Sequence, residues 1–367
     1  MYDIIPAEYY FSIYLYGCMA FVFFTLLHTY VIKINDRKNI IYINVVGYFI
    51  LIFLVFFMGF RPVSGRYFVD MRTYSYHFIS YANGAPMIRS KDLFFHYFMK
   101  ICSGIMGVNQ FFFVCALVYL LPMYRVSKVF FGKYWFYSFL MFIISFSFWT
   151  YGVNGIRNGM ATSLFLLGLS FNKNKINVFG MAISFLLAIL VHKTLSLPVL
   201  AYTATLLFNN PKHYLKFWIA CIPLSLVLGG LFTSTFTALG FGDERLNAYL
   251  SGGGGNSFRF DFLLYSTSAV VTGWYFIYKK QFKDKVYNHL FNAYLATNAF
   301  WILVIRANFS NRFAYLSWFM MGVVIIYPFL KHPINNKHIK IGKVIFFYFA
   351  FTYFMMELYY LIRGARA

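Results

Sequence analysis

The sequence predicts an all-α, polytopic integral membrane protein, a helical bundle of about twelve transmembrane helices with two longer outer loops. Hydrophobic residues make up 61% of the 367 residues and charged residues only 11%, whereas soluble domains carry about 25% charged residues. The apolar runs are long and do not alternate with polar residues, which favours helices over strands. Backbone groups in lipid must be hydrogen-bonded within the protein, and a helix meets this requirement by itself.

The whole chain, residues 1–367, is expected to form one transmembrane helical domain. Polar outer loops are expected at about residues 61–107 and 237–260, and the first of them contains the amphipathic stretch Leu93–Met106. The spans are predicted near Tyr9–Ile32, Ile40–Phe60, Phe111–Tyr124, Tyr134–Thr150, Gly155–Phe171, Asn177–Val191, Leu195–Phe208, Tyr214–Phe236, Phe262–Tyr278, His289–Ile305, Phe313–Leu330 and Val344–Leu361.

The lysines predict the orientation of the bundle. Sixteen of the nineteen lysines fall in every second loop between the predicted spans. Basic residues are enriched in cytoplasmic loops, so this side is predicted to be cytoplasmic and both termini to lie outside. The sixteen are Lys33, Lys38, Lys128, Lys133, Lys173, Lys175, Lys212, Lys216, Lys279, Lys280, Lys283, Lys285, Lys331, Lys337, Lys340 and Lys343.

The thirteen arginines are distributed in the opposite way, with only Arg37 and Arg125 on the predicted cytoplasmic side. The positive-inside rule treats both residue types alike and does not explain this split. Arginine binds phosphate or carboxylate through a planar fork of donors. The net charge of +22 thus has two parts. The lysines set the topology, and the outward arginines are expected to hold an anion. Nucleic acid is a poor candidate for that anion, because the basic residues are dispersed along a membrane bundle.

The stretch around Arg157 is the first candidate site, because it places an arginine between two long apolar runs. Asn154 lies three residues before it, and Asn158 follows it directly. Positions three and four apart share a helix face, so these side chains are expected to point the same way. Ionisable groups at membrane depth are usually functional. The alternative is an interfacial arginine whose charged end reaches the water.

Two residues are candidates for a proton acceptor. Asp70 lies among arginines in the first outer loop, where a carboxylate could take a proton from a sugar hydroxyl or simply form a salt bridge. His192 ends a predicted span on the outer side, and its ordinary pKa of about 6.5 suits proton transfer at neutral pH. Its alternative is an interfacial, hydrogen-bonded histidine.

A short outer turn repeats the chemistry of the Arg157 stretch, with Arg306 and Arg312 beside Asn308 and Asn311. Arginines from separate helices suit a diphosphate. The glycines at 252–255 lack the lysine of a phosphate-binding loop and predict either a lid or a flexible loop. No histidine, cysteine or carboxylate cluster has metal-ligand spacing, so neither a metal nor a cofactor is expected.

Several of these residues together resemble a known family. They are Gly65, Arg66, Asp70 and Tyr74, then Asn154 to Ala161, then His192, then Asn311 to Tyr315. In order and outward placement they are similar to the pattern of the EpsG-like, Wzy-type polysaccharide polymerases. The resemblance covers roughly residues 61–315 and implies an enzyme of the bacterial plasma membrane whose site faces the outer side. It implies transfer of a growing glycan from undecaprenyl diphosphate onto the sugar of another lipid-linked unit. A chain-length regulator and a flippase of the same pathway are the protein partners it implies.

The predicted mechanism places the donor diphosphate among Arg157, Arg306 and Arg312, with Arg66 as a further ligand. Fixed guanidinium groups would stabilise the charge that develops as the glycosidic bond breaks, without a metal. His192 or Asp70 would remove the proton from the acceptor hydroxyl. The remaining substrate-binding candidates are Tyr74, Asn154, Asn158 and Tyr315.

Three alternatives from other classes stay open. A lipid-linked oligosaccharide flippase would need polar residues through the whole membrane depth, whereas these residues cluster at the outer mouth. A metal-dependent glycosyltransferase acting on polyprenyl-phosphate sugars would need paired carboxylates, for which Asp243 and Glu244 are the candidates. A structural membrane subunit would leave the separation of arginine from lysine unexplained.

Overall fold

The structure is a computed structural model that describes residues 5–88, 93–173, 176–238, 258–306 and 310–363. Within these residues it contains helices and one isolated antiparallel bridge, between Asn172 and Ile176, and no β-strand. The predicted all-α class is confirmed. The α-helices are α1 (Tyr10–Val31), α2 (Arg37–Gly59), α3 (Val69–Ala82), α4 (Leu93–Ser103), α5 (Val108–Phe131), α6 (Trp135–Ile143), α7 (Phe148–Val153), α8 (Ile156–Ser170), α9 (Val178–Val191), α10 (Ser196–Leu207), α11 (Pro211–Ala238), α12 (Phe260–Trp274), α13 (Lys285–Leu303), α14 (Ser310–Lys331) and α15 (Lys337–Arg363).

Six helical segments of the described chain are long and apolar enough to cross a membrane. They support a multi-pass membrane protein, and the predicted count of about twelve spans is not confirmed. The six segments are Ala7–Val31, Arg37–Gly59, Val108–Ile143, Pro211–Phe232, Asn311–Lys331 and Lys337–Leu358.

The first predicted outer loop is largely helical, which corrects the sequence interpretation. Its residues include α3 and α4, and α4 matches the predicted amphipathic stretch. The buried side chains of α3 include Met71, Tyr74, Phe78 and Tyr81. Spacings of three and four residues place them on one helix face, which packs against α4 and α5. Of the second predicted loop, residues 239–257 lie outside the described part of the chain.

The predicted span Tyr134–Thr150 is not one continuous helix. Helix α6 ends at Ile143, and α7 begins at Phe148. All nine residues of α6 are buried. A helix that is apolar on every side belongs in the interior of a bundle, and α6 contacts both α2 and α5. A Cβ at Gly47 of α2 would overlap the Trp135 ring, so the missing side chain lets α2 approach α6.

The chain divides into two compact units. The first comprises Met1–Ser196 and Phe329–Ala350, and the second comprises Leu197–Pro328 and Phe351–Ala367. The prediction of one domain over residues 1–367 stays a prediction.

A buried polar network holds four helices of the second unit together. Asn298 of α13 accepts a hydrogen bond from Trp218 Nε1 at 2.8 Å and donates to Ser266 Oγ at 3.1 Å and Ser317 Oγ at 2.9 Å. Trp318 Nε1 also donates to Ser266 Oγ, at 2.7 Å. Buried polar groups are costly unless they are paired. Because its amide oxygen and nitrogen are both paired here, Asn298 is compatible with an apolar bundle.

Candidate functional site

The break between α7 and α8 lies at the centre of the candidate site. The first helix ends at Val153 and the second begins at Ile156, with Asn154 and Gly155 between them. No side chain caps the start of α8, and its first helical hydrogen bond runs from Gly159 N to Gly155 O, at 2.9 Å. The N–H groups of a first helical turn have no partner within the helix and carry partial positive charge. This end of α8 therefore suits an anion.

Gly159 allows α7 and α8 to approach closely at the break. A Cβ at Gly159 would overlap the carbonyl oxygen of Tyr151, and it would lie 3.2 Å from Cδ2 of Tyr119. Only a residue without a side chain fits there. The glycine therefore fixes the direction in which the first turn of α8 leaves α7.

Arg157 lies in that first turn and binds a residue of α3. Its Nε donates a hydrogen bond of 2.8 Å to the Tyr74 hydroxyl, and its Cζ lies 5.6 Å from the centroid of the Tyr74 ring. Tyr74 is buried and packs edge-to-face on Phe95 of α4, with ring centroids 5.3 Å apart. The structure thus brings together two residues that the sequence predicted as ligands.

His77 is a residue of this site that the sequence interpretation missed. It follows Tyr74 by one helical turn, and its half-buried ring lies 5.5 Å from the ring of His96. Burial lowers the pKa of His77 below its usual range, and the positive charge of Arg157 lowers that pKa further. No described residue hydrogen-bonds its ring nitrogens. In the sequence, the spacing of three residues between Tyr74 and His77 indicates that the two side chains share a helix face.

Asn154 has an amide oxygen that is buried and has no hydrogen-bond partner among the described residues. Leaving a buried acceptor unpaired costs about 1–3 kcal/mol, so a water or a substrate hydroxyl would stabilise it. Asn158 is half-buried in the adjacent turn. Asn154 lies in the break before α8, and Asn158 lies in the first turn of α8 with Arg157.

Asp70 and Arg66 are exposed at the start of α3. The Asp70 carboxylate forms no hydrogen bond or ion pair with the residues that the structure describes, so the salt-bridge alternative is not seen there. Asp70, Tyr74 and His77 are spaced four and three residues apart and share one face of α3. Arg66 places its guanidinium carbon 5.4 Å from the centroid of the Tyr67 ring. Roles for Asp70 and Arg66 in catalysis or binding stay predictions.

His192 lies where α9 ends, and its N–H donates to the Ala188 carbonyl at 3.0 Å. Its Nδ1 accepts a hydrogen bond of 3.4 Å from Thr194 N and lies 2.7 Å from Thr194 Oγ1. The Thr194 hydroxyl can donate to Nδ1 or accept from it, so this contact fits both tautomers of the neutral ring. The short helical turn Lys193–Leu195 contacts α8.

Arg306, Arg312 and Tyr315 belong to the second unit. Arg306 is exposed, and its Nη2 donates to the Leu226 carbonyl of α11 at 3.3 Å. Arg312 is exposed in the first turn of α14. Tyr315 is buried, with its ring 5.8 Å from Trp318. Their predicted roles in binding diphosphate or glycan stay predictions, and Asn308 lies outside the described residues.

Arg61 is buried, unlike Arg66, Arg306 and Arg312, which are exposed. It donates to the carbonyl of Met58 and, at 3.0 Å, to the carbonyl of Val153. These carbonyls lie at the ends of α2 and α7, where a positive charge is favourable. Burial lowers the pKa of Arg61 to about 10, so it remains charged at neutral pH. Its side chain therefore joins two helix ends, which corrects the view that all the outward arginines hold an anion.

Within the described residues, no group of three or more histidine, cysteine, aspartate or glutamate side chains could hold a metal ion. Asp243 and Glu244, the carboxylates of the metal-dependent alternative, lie outside those residues. Metal independence stays a prediction.

Comparison with known proteins identifies a family but no individual relative. No curated protein and no solved structure was found to match the chain. The family model of the EpsG family matches residues 48–363. That match covers most of the chain, including α3, the helix break and the turn before α14, and it confirms the resemblance noted from the sequence. The chain therefore belongs to the EpsG family.

Proposed function

We propose that this protein is a membrane glycosyltransferase that joins undecaprenyl-diphosphate-linked repeat units into a polysaccharide at the outer face of the plasma membrane. Family membership and the apolar helices indicate a membrane polysaccharide polymerase. The lipid-linked donor is what the resemblance to EpsG-like, Wzy-type polymerases implies, and the chemistry of the residues around Arg157 supports a role for arginine in holding its diphosphate.

The observation that carries the proposal is Arg157 in the first turn of α8, with its Nε bound to Tyr74. A helix N-terminus and a guanidinium group at one place form a site for a diphosphate. Positive groups that are fixed before the reaction stabilise a leaving group as its charge develops. Arg157 is therefore assigned to the donor diphosphate, and the Asn154 amide oxygen is assigned to accept a hydrogen bond from a sugar hydroxyl.

The transfer needs a group that accepts one proton. The acceptor hydroxyl oxygen attacks the anomeric carbon, the bond from that carbon to the diphosphate oxygen breaks, and its electron pair stays on the diphosphate. His77 is assigned to take the hydroxyl proton, because a neutral imidazole beside Arg157 can accept one. His192 and Asp70, the two bases predicted from the sequence, remain the alternatives for this role.

The test uses purified protein and synthetic lipid-diphosphate repeat units, with products separated by size. Arg157→Lys keeps the charge and loses the planar fork, so turnover should fall strongly in a protein that still folds and inserts. Arg37→Lys is the matched control, since Arg37 is exposed at the start of α2 and should leave the rate unchanged. Arg312→Lys tests the predicted contribution of the second unit separately.

Three outcomes would contradict the proposal. Normal polymer from Arg157→Ala would exclude the diphosphate site, and movement of lipid-linked units without longer products would support a flippase instead. Activity that a chelator abolishes and magnesium or manganese restores would support the metal-dependent alternative.

A further inference from the structure

A groove with a volume of about 520 Å³ lies on the first unit between α5 and α8. Its volume is in the range of pockets that hold small ligands, about 300–1,000 Å³. The surface is almost entirely apolar, and two basic side chains stand among the apolar ones. The lining includes Leu121, Pro122, Arg125, Lys128, Val129 and Leu167.

The two basic side chains lie on one face of α5 and have no carboxylate partner among the described residues. Arg125 Nε donates to Ser170 Oγ at 3.3 Å, and the Arg125 Cζ lies 5.1 Å from the centroid of the Phe171 ring. Lys128 places its Nζ 5.8 Å from the Trp135 ring. Two positive charges therefore stand beside the apolar groove without an acidic residue to compensate them.

The order of side chains along the groove is the one expected where a membrane meets water. Arg125 and Lys128 lie in the last two turns of α5, which ends at Phe131, and α8 ends at Ser170 beside them. Tyr124, another lining residue, packs edge-to-face on Trp135 with ring centroids 4.8 Å apart. Tyrosine and tryptophan are enriched at membrane–water interfaces. The leucines of the lining lie about one helical turn deeper, at acyl-chain depth.

We propose that this groove binds an anionic glycerophospholipid, with its phosphate at Arg125 and Lys128 and an acyl chain along Leu121 and Leu167. Basic pockets between membrane helices attract anionic headgroups. A zwitterionic lipid carries its own compensating charge and gains less from the two cations. The lipid site is separate from the helix break at Arg157 and is independent of the proposed enzymatic activity.

The test measures lipid retention by native mass spectrometry of the full chain in detergent, with phosphatidylglycerol or phosphatidylcholine added. Phosphatidylglycerol should bind in preference to phosphatidylcholine. In Arg125→Gln/Lys128→Gln its dissociation constant should rise about 30-fold, since each basic residue contributes about 1 kcal/mol. Leu167→Trp fills the groove and should displace the lipid with both charges intact. Soluble glycerol phosphate should not compete, because it lacks the acyl chain.

Lys279→Gln/Lys280→Gln is the matched control. It removes the same charge from two lysines that also lie over aromatic rings, 5.7 Å and 5.6 Å from Trp274 and Tyr275. Phosphatidylglycerol binding should be unchanged in this control. An equal loss in the control, equal binding of the two lipids, competition by glycerol phosphate, or full binding to both groove variants would each overturn the proposal.

Discussion

Arg157 and Tyr74 are 83 residues apart in the chain, and their hydrogen bond joins α8 to α3. A hydroxyl that accepts from Nε fixes the plane of the guanidinium group, and that plane sets the direction of the donor fork. Tyr74→Phe keeps the ring and removes the hydroxyl. A hydrogen bond to a charged group contributes about 1.5–3 kcal/mol, so kcat/KM for polymerisation should fall about 10- to 100-fold.

The control for Tyr74→Phe is a double-mutant cycle with Arg157→Lys. If Tyr74 acts by orienting Arg157, the two losses should not add, because both variants remove the same oriented fork. Additive losses would mean that the Tyr74 hydroxyl acts on the substrate or the fold independently of Arg157.

His77 gives a prediction about pH. Its ring must be neutral to accept a proton, and its pKa lies below the usual range. As the pH is lowered, kcat/KM should therefore begin to decrease only below about pH 6.5, the ordinary pKa of histidine. The described groups that act on His77 or lie against its ring are Arg157, Tyr76 and His96. His77→Gln should lower the rate about 10²–10⁴-fold and remove the acid limb.

His213→Gln, which changes an exposed histidine of α11, is the control for His77→Gln and should keep both the rate and the pH profile. His192→Gln and Asp70→Asn identify the competing bases in the same assay. An unchanged acid limb in His77→Gln, with its loss in either of the others, would assign the base to that residue.

Sequence reasoning selected Arg157 and Asn154, because polar residues in an apolar chain stand out, and it selected Tyr74 through the resemblance to a family. It missed His77, although His77 lies one helical turn after Tyr74, because the charge of Arg157 reaches its ring only once the chain has folded. It grouped Arg61 with the anion-binding arginines, because sequence predicts the side of the membrane and gives no measure of burial. The carbonyl partners of Arg61 arise where two helix ends meet, and no local pattern encodes such a meeting.

At the scale of elements, α3 is a helix that a search for long apolar segments does not detect. A helix of 14 residues with several polar side chains is too short and too polar to register as a span of about 20 apolar residues. The spacing of its buried residues nevertheless follows a helical period. The break between α7 and α8 was largely predicted, because one span was expected to end at Thr150 and the next to begin at Gly155. The structure places it at Asn154 and Gly155. What the sequence did not predict is the close contact at Gly159.

That contact makes Gly159→Ala a test of the helix break. The added Cβ would overlap the Tyr151 carbonyl, so α7 and α8 would have to separate. Overpacking of this kind costs about 1–3 kcal/mol, and the midpoint of thermal unfolding in detergent should fall. Polymerisation should fall as well, because the first turn of α8 carries Arg157.

Gly230→Ala is the matched control for Gly159→Ala. Gly230 is an exposed helical glycine, and nothing lies within 4 Å of a Cβ added there. Alanine favours helix over glycine by about 1 kcal/mol, so this variant should be as stable as the parent or more so. Equal stability of the two variants would mean that the helix break tolerates a side chain.

At the scale of the whole molecule, the difference between about twelve predicted spans and six apolar segments follows from helix length. Helices α8 and α12 have 15 residues each, which corresponds to about 22 Å, short of a hydrocarbon core of about 30 Å. Helix α13 is longer but carries His289, Asn292 and Asn298. Hydropathy detects apolar segments, but it does not show which of them cross the bilayer alone and which pack inside the bundle.

The predicted orientation can be tested on the intact chain by cysteine labelling. The four native cysteines are all buried, so they should react slowly and leave a low background. Asn83 and Lys283 are both exposed, and the lysine distribution places Asn83 outside and Lys283 in the cytoplasm. An impermeant maleimide added to intact cells should therefore label Asn83→Cys and miss Lys283→Cys until the membrane is opened. The reverse pattern would place Arg157 and Tyr74 near the cytoplasmic face, where the proposed outward-facing polymerisation could not occur.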